Sequence, residues 1–289
     1  MKIALINPPS PFLINDRVFL PLGILYIASV LREKGYEIEF YDLAKTNNWQ
    51  ETVKNIKKDV ICVTGTTPHY LYLKEIVSLS KNGSKKLIAV GPHATIDPQS
   101  LVDIGYDTVV VGEGENIIEE ALSTKEKIIH GTPVEDLDSL SFPARDLIDI
   151  KSYNFIIDGK NAVHTVFTRG CPFNCGFCCN ISRKTKFRSV DSCIEELKFI
   201  IKDFGIERFM FFDDTFTLNK KWVTEFCEKI SKLDVKWRCF VRADKVDREL
   251  LKMMKGAGCA EIGVGVESGS QKILDIMNKK TKVEDNTKC

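Results

Sequence analysis

Neither sign of charge dominates this sequence. Lys and Arg number 41 and Asp and Glu 40, leaving a formal net charge of +1. A chain so balanced lacks the cationic surplus that grips a nucleic-acid backbone or an anionic membrane surface, so neither partner class is expected. A long apolar run is missing too. The most apolar early stretch, residues 18–31, is interrupted by Pro21 and Gly23. It falls short of the roughly 20 residues a bilayer span needs, so it reads as a buried helix opened by proline. The start, MKIALINPPSPF, lacks the basic-then-apolar pattern of a secretory leader, and the expected compartment is the cytoplasm. In a reducing compartment the ten cysteines are not a disulfide framework; they point to metal or redox chemistry. Tandem repeats and low-complexity segments are also lacking.

What is there is an ordinary core-forming composition, 44% hydrophobic over 289 residues, enough for two domains. Strand patterns at residues 2–7, 36–43, 60–65, 86–91 and 106–112 alternate with helical patterns at 22–34, 49–58, 70–80, 98–104 and 116–122. Four of these strands are continuous apolar runs, the mark of strands covered on both faces. The expectation is an α/β domain over residues 1–130, a doubly wound, Rossmann-like parallel sheet in the order 2-1-3-4-5. Such sheets bind ligands beyond the carboxyl ends of their strands. Asn7, Thr64, Thr66, Thr67, Gly91, His93, Gly112, Glu113 and Gly114 fall there. The Gly112-Glu113-Gly114 spacing is not that of a dinucleotide fingerprint.

Residues 131–159 carry two prolines, many acids and no clean period, and read as a linker. From residue 160 the alternation resumes, with strands at 162–168, 207–214, 236–244 and 261–269, each followed by a helical pattern. Four βα units are about half of a full barrel, so the domain at 160–289 reads as a partial (β/α) barrel.

The first of these strands runs into TRGCPFNCGFCC, where four cysteines fall between positions 171 and 179. Cys171, Cys175 and Cys178 are spaced C-x3-C-x2-C. Short spacing lets one loop wrap an iron–sulfur cluster, and three ligands to four irons leave one iron open. Zinc is the rival, but a closed zinc site wants a fourth ligand, usually from a second knuckle, and none is visible. Cys179 adjoins Cys178 and reads as packing, as do Cys62, Cys193, Cys227, Cys239 and Cys259.

This loop resembles the cluster loop of radical S-adenosylmethionine enzymes, with Phe177 at the aromatic position. FFDDTF, WRCFVRAD and GVESGSQKIL continue the likeness downstream. Upstream, PLGILYIASVLREKGYEIEFYDL, GPHATIDPQ, VVVGEGE and FPARDL look like the cobalamin-binding subgroup. The resemblance implies three cofactors: a [4Fe-4S] cluster on Cys171, Cys175 and Cys178, S-adenosylmethionine, and cobalamin (B12) on the rim of the first domain. It places S-adenosylmethionine against Phe177, Asp213, Asp214, Arg242, Glu267 and Ser268. It implies a methylated or rearranged small-molecule substrate with an unactivated carbon, and an electron donor such as flavodoxin or ferredoxin. The loop NPPSPF has no histidine where some cobalamin proteins supply a cobalt ligand, so none is expected from His69 or His93. Two other readings stand beside this one. One is a fragment that binds cofactors without catalysis, with or without a second chain to complete the barrel. Methylthiotransfer is disfavoured, because the upstream half holds only Cys62.

Overall fold

In the computed structural model, which describes residues 1–80, 85–179 and 181–289, the chain divides into two compact units. The first comprises Met1–Glu135 with Ser139–Tyr153, the second Asp136–Asp138 with Asn154–Cys289.

The first unit runs β1 (Lys2–Asn7), α1 (Leu22–Glu33), β2 (Glu37–Asp42), α2 (Trp49–Lys54), β3 (Val60–Thr64), α3 (Tyr70–Ser80), β4 (Lys86–Val90), α4 (Pro92–Ile96), α5 (Pro98–Ile104), β5 (Thr108–Val111), α6 (Ile118–Ser123) and β6 (Ile128–His130). Its sheet is parallel, in the order β2-β1-β3-β4-β5-β6. The expected order is therefore present, and β6 extends it by one edge strand. Three residues are too few to show a period, so the sequence pattern does not reveal β6.

The apolar strand runs have the expected cause. Ala4, Ile6, Ile61, Val63, Leu87 and Ala89 face a layer containing Val53, Leu73, Ile76, Val77 and Leu101. Ile3, Leu5, Val60, Cys62, Ile88 and Val90 face Ile24, Ile27, Leu31, Ile118 and Ala121 on the other side. Each such side chain contributes about 1.5–3 kcal/mol on burial, so slipping any strand by one residue is strongly disfavoured. Residues 139–153 close over this unit. Ala144 N donates to Leu25 O at 3.1 Å, Ser29 Oγ to Phe142 O at 2.7 Å, and Tyr153 Oη to Asp42 Oδ2 at 2.9 Å.

The second unit runs β7 (Phe155–Ile157), β8 (Lys160–Thr165), β9 (Thr168–Arg169), β10 (Lys186–Phe187), α7 (Val190–Phe204), β11 (Arg208–Phe211), α8 (Lys220–Ile230), β12 (Lys236–Val241), α9 (Arg248–Gly256), β13 (Cys259–Val264), α10 (Gln271–Ile276) and α11 (Val283–Lys288). Its main sheet is ordered β13-β12-β11-β8-β7. β8, β11, β12 and β13 are parallel, while β7 is antiparallel to β8. These are the four βα units of the partial barrel. Behind the sheet Phe211 stacks on Phe216 at 5.4 Å, and Phe226 and Trp237 meet Phe211 at 5.3 and 5.2 Å. That aromatic wedge holds the strand ends in place beneath the cysteine loop. Among the described residues no helix is long and apolar enough to cross a membrane.

Candidate functional site

The strand expected at 162–168 stops at Thr165, and the one expected at 207–214 stops at Phe211. One carboxylate accounts for both. Asp213 is 1% exposed. Its Oδ1 accepts from Phe167 N at 3.0 Å, Thr168 N at 2.5 Å and Thr168 Oγ1 at 2.7 Å. Those amides leave the ladder and turn the chain into the β9–β10 hairpin, which pairs Thr168 with Phe187 and Arg169 with Lys186. Asp213 therefore holds the base of the cysteine loop, whereas its neighbour Asp214 is exposed.

Asp213 Oδ2 is buried without a hydrogen-bond partner. Burial pushes the carboxyl pKa from 3.8 to about 6, against the three hydrogen bonds that favour the anion. Between those values the folded carboxyl keeps a proton that the unfolded one has released. Stability therefore falls as pH rises from about 4 to about 6, by at most about 3 kcal/mol, and stays lower above that window. Asp213→Asn keeps the acceptor and should flatten the profile. Urea midpoints measured across this range check it, and a wild-type profile already flat there would refute the assignment.

The hairpin opens into the loop at Gly170. This residue has φ +87°, and a Cβ would lie 2.5 Å from Lys184 O, so only glycine fits. Cys171 N then donates to Ser182 O at 3.0 Å, and Cys178 N to Cys175 O at 3.1 Å. Cys171 Sγ lies 4.0 Å from Thr215 Oγ1, and Arg242 Nη1 donates to Cys175 Sγ at 3.8 Å. Burial raises the Cys178 thiol pKa first, and the negative fields of Asp214, Cys171, Cys175 and Cys179 raise it further. The sulfurs and Asp214 thus share one electrostatic neighbourhood. Crowded thiolates repel until cations sit among them, and bound metal inverts that sign. Among the described residues no three Cys, His, Asp or Glu side chains are placed to share one metal ion; in a four-iron cluster each thiolate takes a separate iron. The donor set, three thiols of one loop beside a guanidinium, fits such a cluster.

Arg242, expected beside S-adenosylmethionine, is engaged within the protein. It is 5% exposed, donates to Asp244 Oδ1 and to Lys279 O, each at 3.0 Å, and lies 3.6 Å from the Phe173 ring centroid. Its charge serves the cysteine loop. Phe177 is half-exposed beside the Lys279 ammonium, which is 5.7 Å from its ring centroid. Glu267, at φ +56°, accepts from Lys279 Nζ at 2.8 Å. Ser268 Oγ accepts from Ser270 N at 3.0 Å. Glu267 and Ser268 line a cavity of about 340 Å³ with Val266, Gly269, Val283, Asn286 and Thr287. Lys279 and Phe173 were missed in the sequence: Lys279 stands in a polar triplet, Asn278-Lys279-Lys280, that reads as solvated surface.

On the rim of the first unit, Thr64 and Gly91 touch. A Cβ at Gly91 would lie 2.5 Å from Thr64 Oγ1, and its φ is +94°. Thr66 N donates to His69 Nδ1 at 3.0 Å, so the neutral ring carries its proton on Nε2, 2.8 Å from Ser10 Oγ. Burial lowers the His69 pKa and favours that neutral ring. Ser100 Oγ donates to Asp97 O at 2.9 Å and therefore accepts from His93 Nε2 at 3.3 Å. His93 Nδ1 then accepts from Thr67 Oγ1 at 3.2 Å. Both nitrogens of each imidazole are engaged. Asn7 donates to Asp42 Oδ1 at 2.9 Å. In the Gly112-Glu113-Gly114 turn, Glu113 Oε2 accepts from Val134 N at 2.7 Å, and a Cβ at Gly114 would lie 2.9 Å from Ile27. Thr64, Thr66, Thr67, Gly91 and His93 are thus brought together at the ends of β3 and β4, with Thr66 and Thr67 exposed and the buried His93 ring bonded to Thr67; the exposed hydroxyls suit amide side chains of a corrin.

Two family models match the chain. One, described as the radical SAM superfamily, covers residues 165–289; the other, described as a B12 binding domain, covers residues 17–122. An uncharacterized methyltransferase of Pyrococcus horikoshii is 32% identical over 96% of this chain and 68% of its own length. An anaerobic magnesium-protoporphyrin IX monomethyl ester cyclase of Rubrivivax gelatinosus is 26% identical over 93% of this chain and 55% of its own. A bacteriochlorophyllide d C-12(1)-methyltransferase of Chlorobaculum tepidum is 24% identical over 96% of this chain and 63% of its own. The chain thus spans about half to two thirds of the length of these relatives.

Proposed function

The chain belongs to the radical S-adenosylmethionine superfamily, in its cobalamin-binding subgroup, and from that premise we propose that it methylates an unactivated carbon of a small molecule. Ring closure, the activity named for the cyclase relatives, is the neighbouring outcome of the same chemistry. The observation that carries the reading is the placement of Cys171, Cys175 and Cys178 on one loop, where Cys178 N bonds Cys175 O at 3.1 Å and Arg242 Nη1 reaches Cys175 Sγ at 3.8 Å.

When bound, the cluster supplies the electron that cleaves the sulfonium of S-adenosylmethionine, and cobalamin supplies the methyl group. The chain's own part is to bind and orient. Cys171, Cys175 and Cys178 hold the cluster. Arg242 places positive charge at Cys175, which favours the reduced, more negative cluster. Asp214 is the open acceptor for the amino group of S-adenosylmethionine, and Phe177 offers an aromatic face beside it. Glu267 and Ser268 accept from ribose hydroxyls. On the other unit, Thr64, Thr66, Thr67 and Gly91 take the corrin side chains, with the buried His93 ring orienting the Thr67 hydroxyl. A reduced flavodoxin or ferredoxin is the proposed electron donor.

The test is anaerobic reconstitution with iron and sulfide, followed by S-adenosylmethionine and a reductant, with hydroxocobalamin added. The expected products are 5′-deoxyadenosine and a cobalamin absorbance spectrum that stays with the protein through desalting. A cluster that forms without cleavage would support binding without catalysis. Tetrahedral zinc without iron would sink the reading.

A further inference from the structure

Between α10 and α11 the chain crosses the cysteine loop, and nearly every residue of the crossing holds something. Met277 O accepts from Gly176 N at 2.7 Å. Asn278 Nδ2 donates to Asn174 O at 2.5 Å. These two bonds seize the backbone on both sides of Cys175. Lys279 O accepts from Arg242 Nη2 at 3.0 Å, so the guanidinium beside Cys175 is held by the same segment. Lys279 Nζ donates to Glu267 Oε1. Thr281 O accepts from Gln271 Nε2 at 3.2 Å, closing the segment onto α10.

The local backbone is unusual. Asn278 and Lys280 take φ +50° and +57°, a left-handed region that Asn adopts readily just after a helix and that Lys adopts rarely. Lys279 is 5% exposed, and a buried ammonium is costly unless paired. At Gly265 a Cβ would come within 2.8 Å of Glu267 Oε1 and 3.0 Å of Lys279 Nζ, so the fold leaves room for that pair and no more. Packing alone calls for an apolar residue at 279. A cation there, between the Phe177 ring and the Glu267 carboxylate, has a ligand-facing purpose. With Oε1 held by Lys279, Glu267 has Oε2 to offer to a diol.

We propose that residues 277–281 are a positioning strap, with Lys279 as its keystone, setting the cysteine loop, Arg242 and Glu267 in one frame for S-adenosylmethionine. The strap rests on the reading of Cys171, Cys175 and Cys178 as cluster ligands. Its residues act through others and touch no reacting atom.

The test compares the full chain, reconstituted anaerobically, with Lys279→Met, Lys279→Arg and Asn278→Gly. The glycine keeps the left-handed backbone accessible and removes only the amide. Lys279→Met should retain wild-type iron content, bind S-adenosylmethionine about tenfold more weakly, and alter the shift that this ligand causes in the reduced cluster's electron paramagnetic resonance signal. Lys279→Arg should recover part of that loss. Asn278→Gly should shift the cluster's reduction potential and speed hydrogen exchange at the Gly176 amide at least about tenfold, corresponding to one lost hydrogen bond. Lower unfolding temperatures with unchanged affinity, signal and potential would mark a merely structural segment and overturn the proposal. A wild-type chain that takes up no iron would overturn the cluster reading instead. Exchange at Gly176, measured without the cluster, then still decides the strap: an unprotected amide there refutes it.

Discussion

Replacing Cys171, Cys175 or Cys178 singly by alanine is expected to abolish 5′-deoxyadenosine formation, down to the level of a reaction without protein. Cys179→Ala should retain it. The asymmetry follows from the loop. Its entry is fixed by Asp213 and by Gly170, which admits no Cβ, so the thiols cannot slide to cover a missing neighbour. Cys178 lies in the field of both other thiols, and Arg242 Nη1 donates to Cys175 Sγ at 3.8 Å. A cluster that loses one of three thiolates gains a second open iron and is labile. Iron and sulfide per chain, the cluster's visible absorbance and product yield should all fall together in the three variants. Full activity in any one of them would show that its cysteine is not a ligand.

Glu196→Ala should be the most destabilising single change in the second unit, costing about 3–5 kcal/mol. Glu196 is 0% exposed and faces Arg188, which is 4% exposed. Arg188 also reaches Ser192 O at 3.2 Å and Ser192 Oγ at 2.7 Å, and lies 5.8 Å from the Phe167 ring centroid. Removing the carboxylate leaves a guanidinium in the core with its main counter-charge gone. The loss is a large part of the roughly 5–15 kcal/mol that holds a domain folded. The damage should reach the site, because Arg188 N donates to Phe167 O at 2.9 Å and Phe167 N is one of the donors that fix Asp213. Chemical denaturation with and without the cluster measures both effects. The double variant Arg188→Met with Glu196→Leu should recover most of the stability, since a well-packed apolar pair can replace a buried ion pair. A double variant as unstable as Glu196→Ala would show that the pair's hydrogen bonds, not the stranded charge, carry the energy.

The sequence by itself determined the parts of this protein that rest on period and spacing. Apolar runs such as KIALI and VICV required a sheet covered on both faces, and the helices between them made it parallel. The C-x3-C-x2-C spacing marked one loop as the seat of the chemistry, since ligands that close are joined by the chain itself. Only the tertiary structure decided what each polar side chain faces. Asp213 and Asp214 are adjacent in sequence, yet one is buried among amides and the other is open. Arg242 reads equally as a ligand-binding fork and as an ordinary ion pair, and the fold surrounds it with Phe173, Asp244 and Lys279. Lys279 reads as surface and is a buried partner of Glu267. The reason is physical. Hydrophobic pattern is a local property with a fixed period, whereas a polar group's environment depends on partners far along the chain, 104 residues away in the case of Asn278 and Asn174. Such pairings leave no period in the chain for a reader to find.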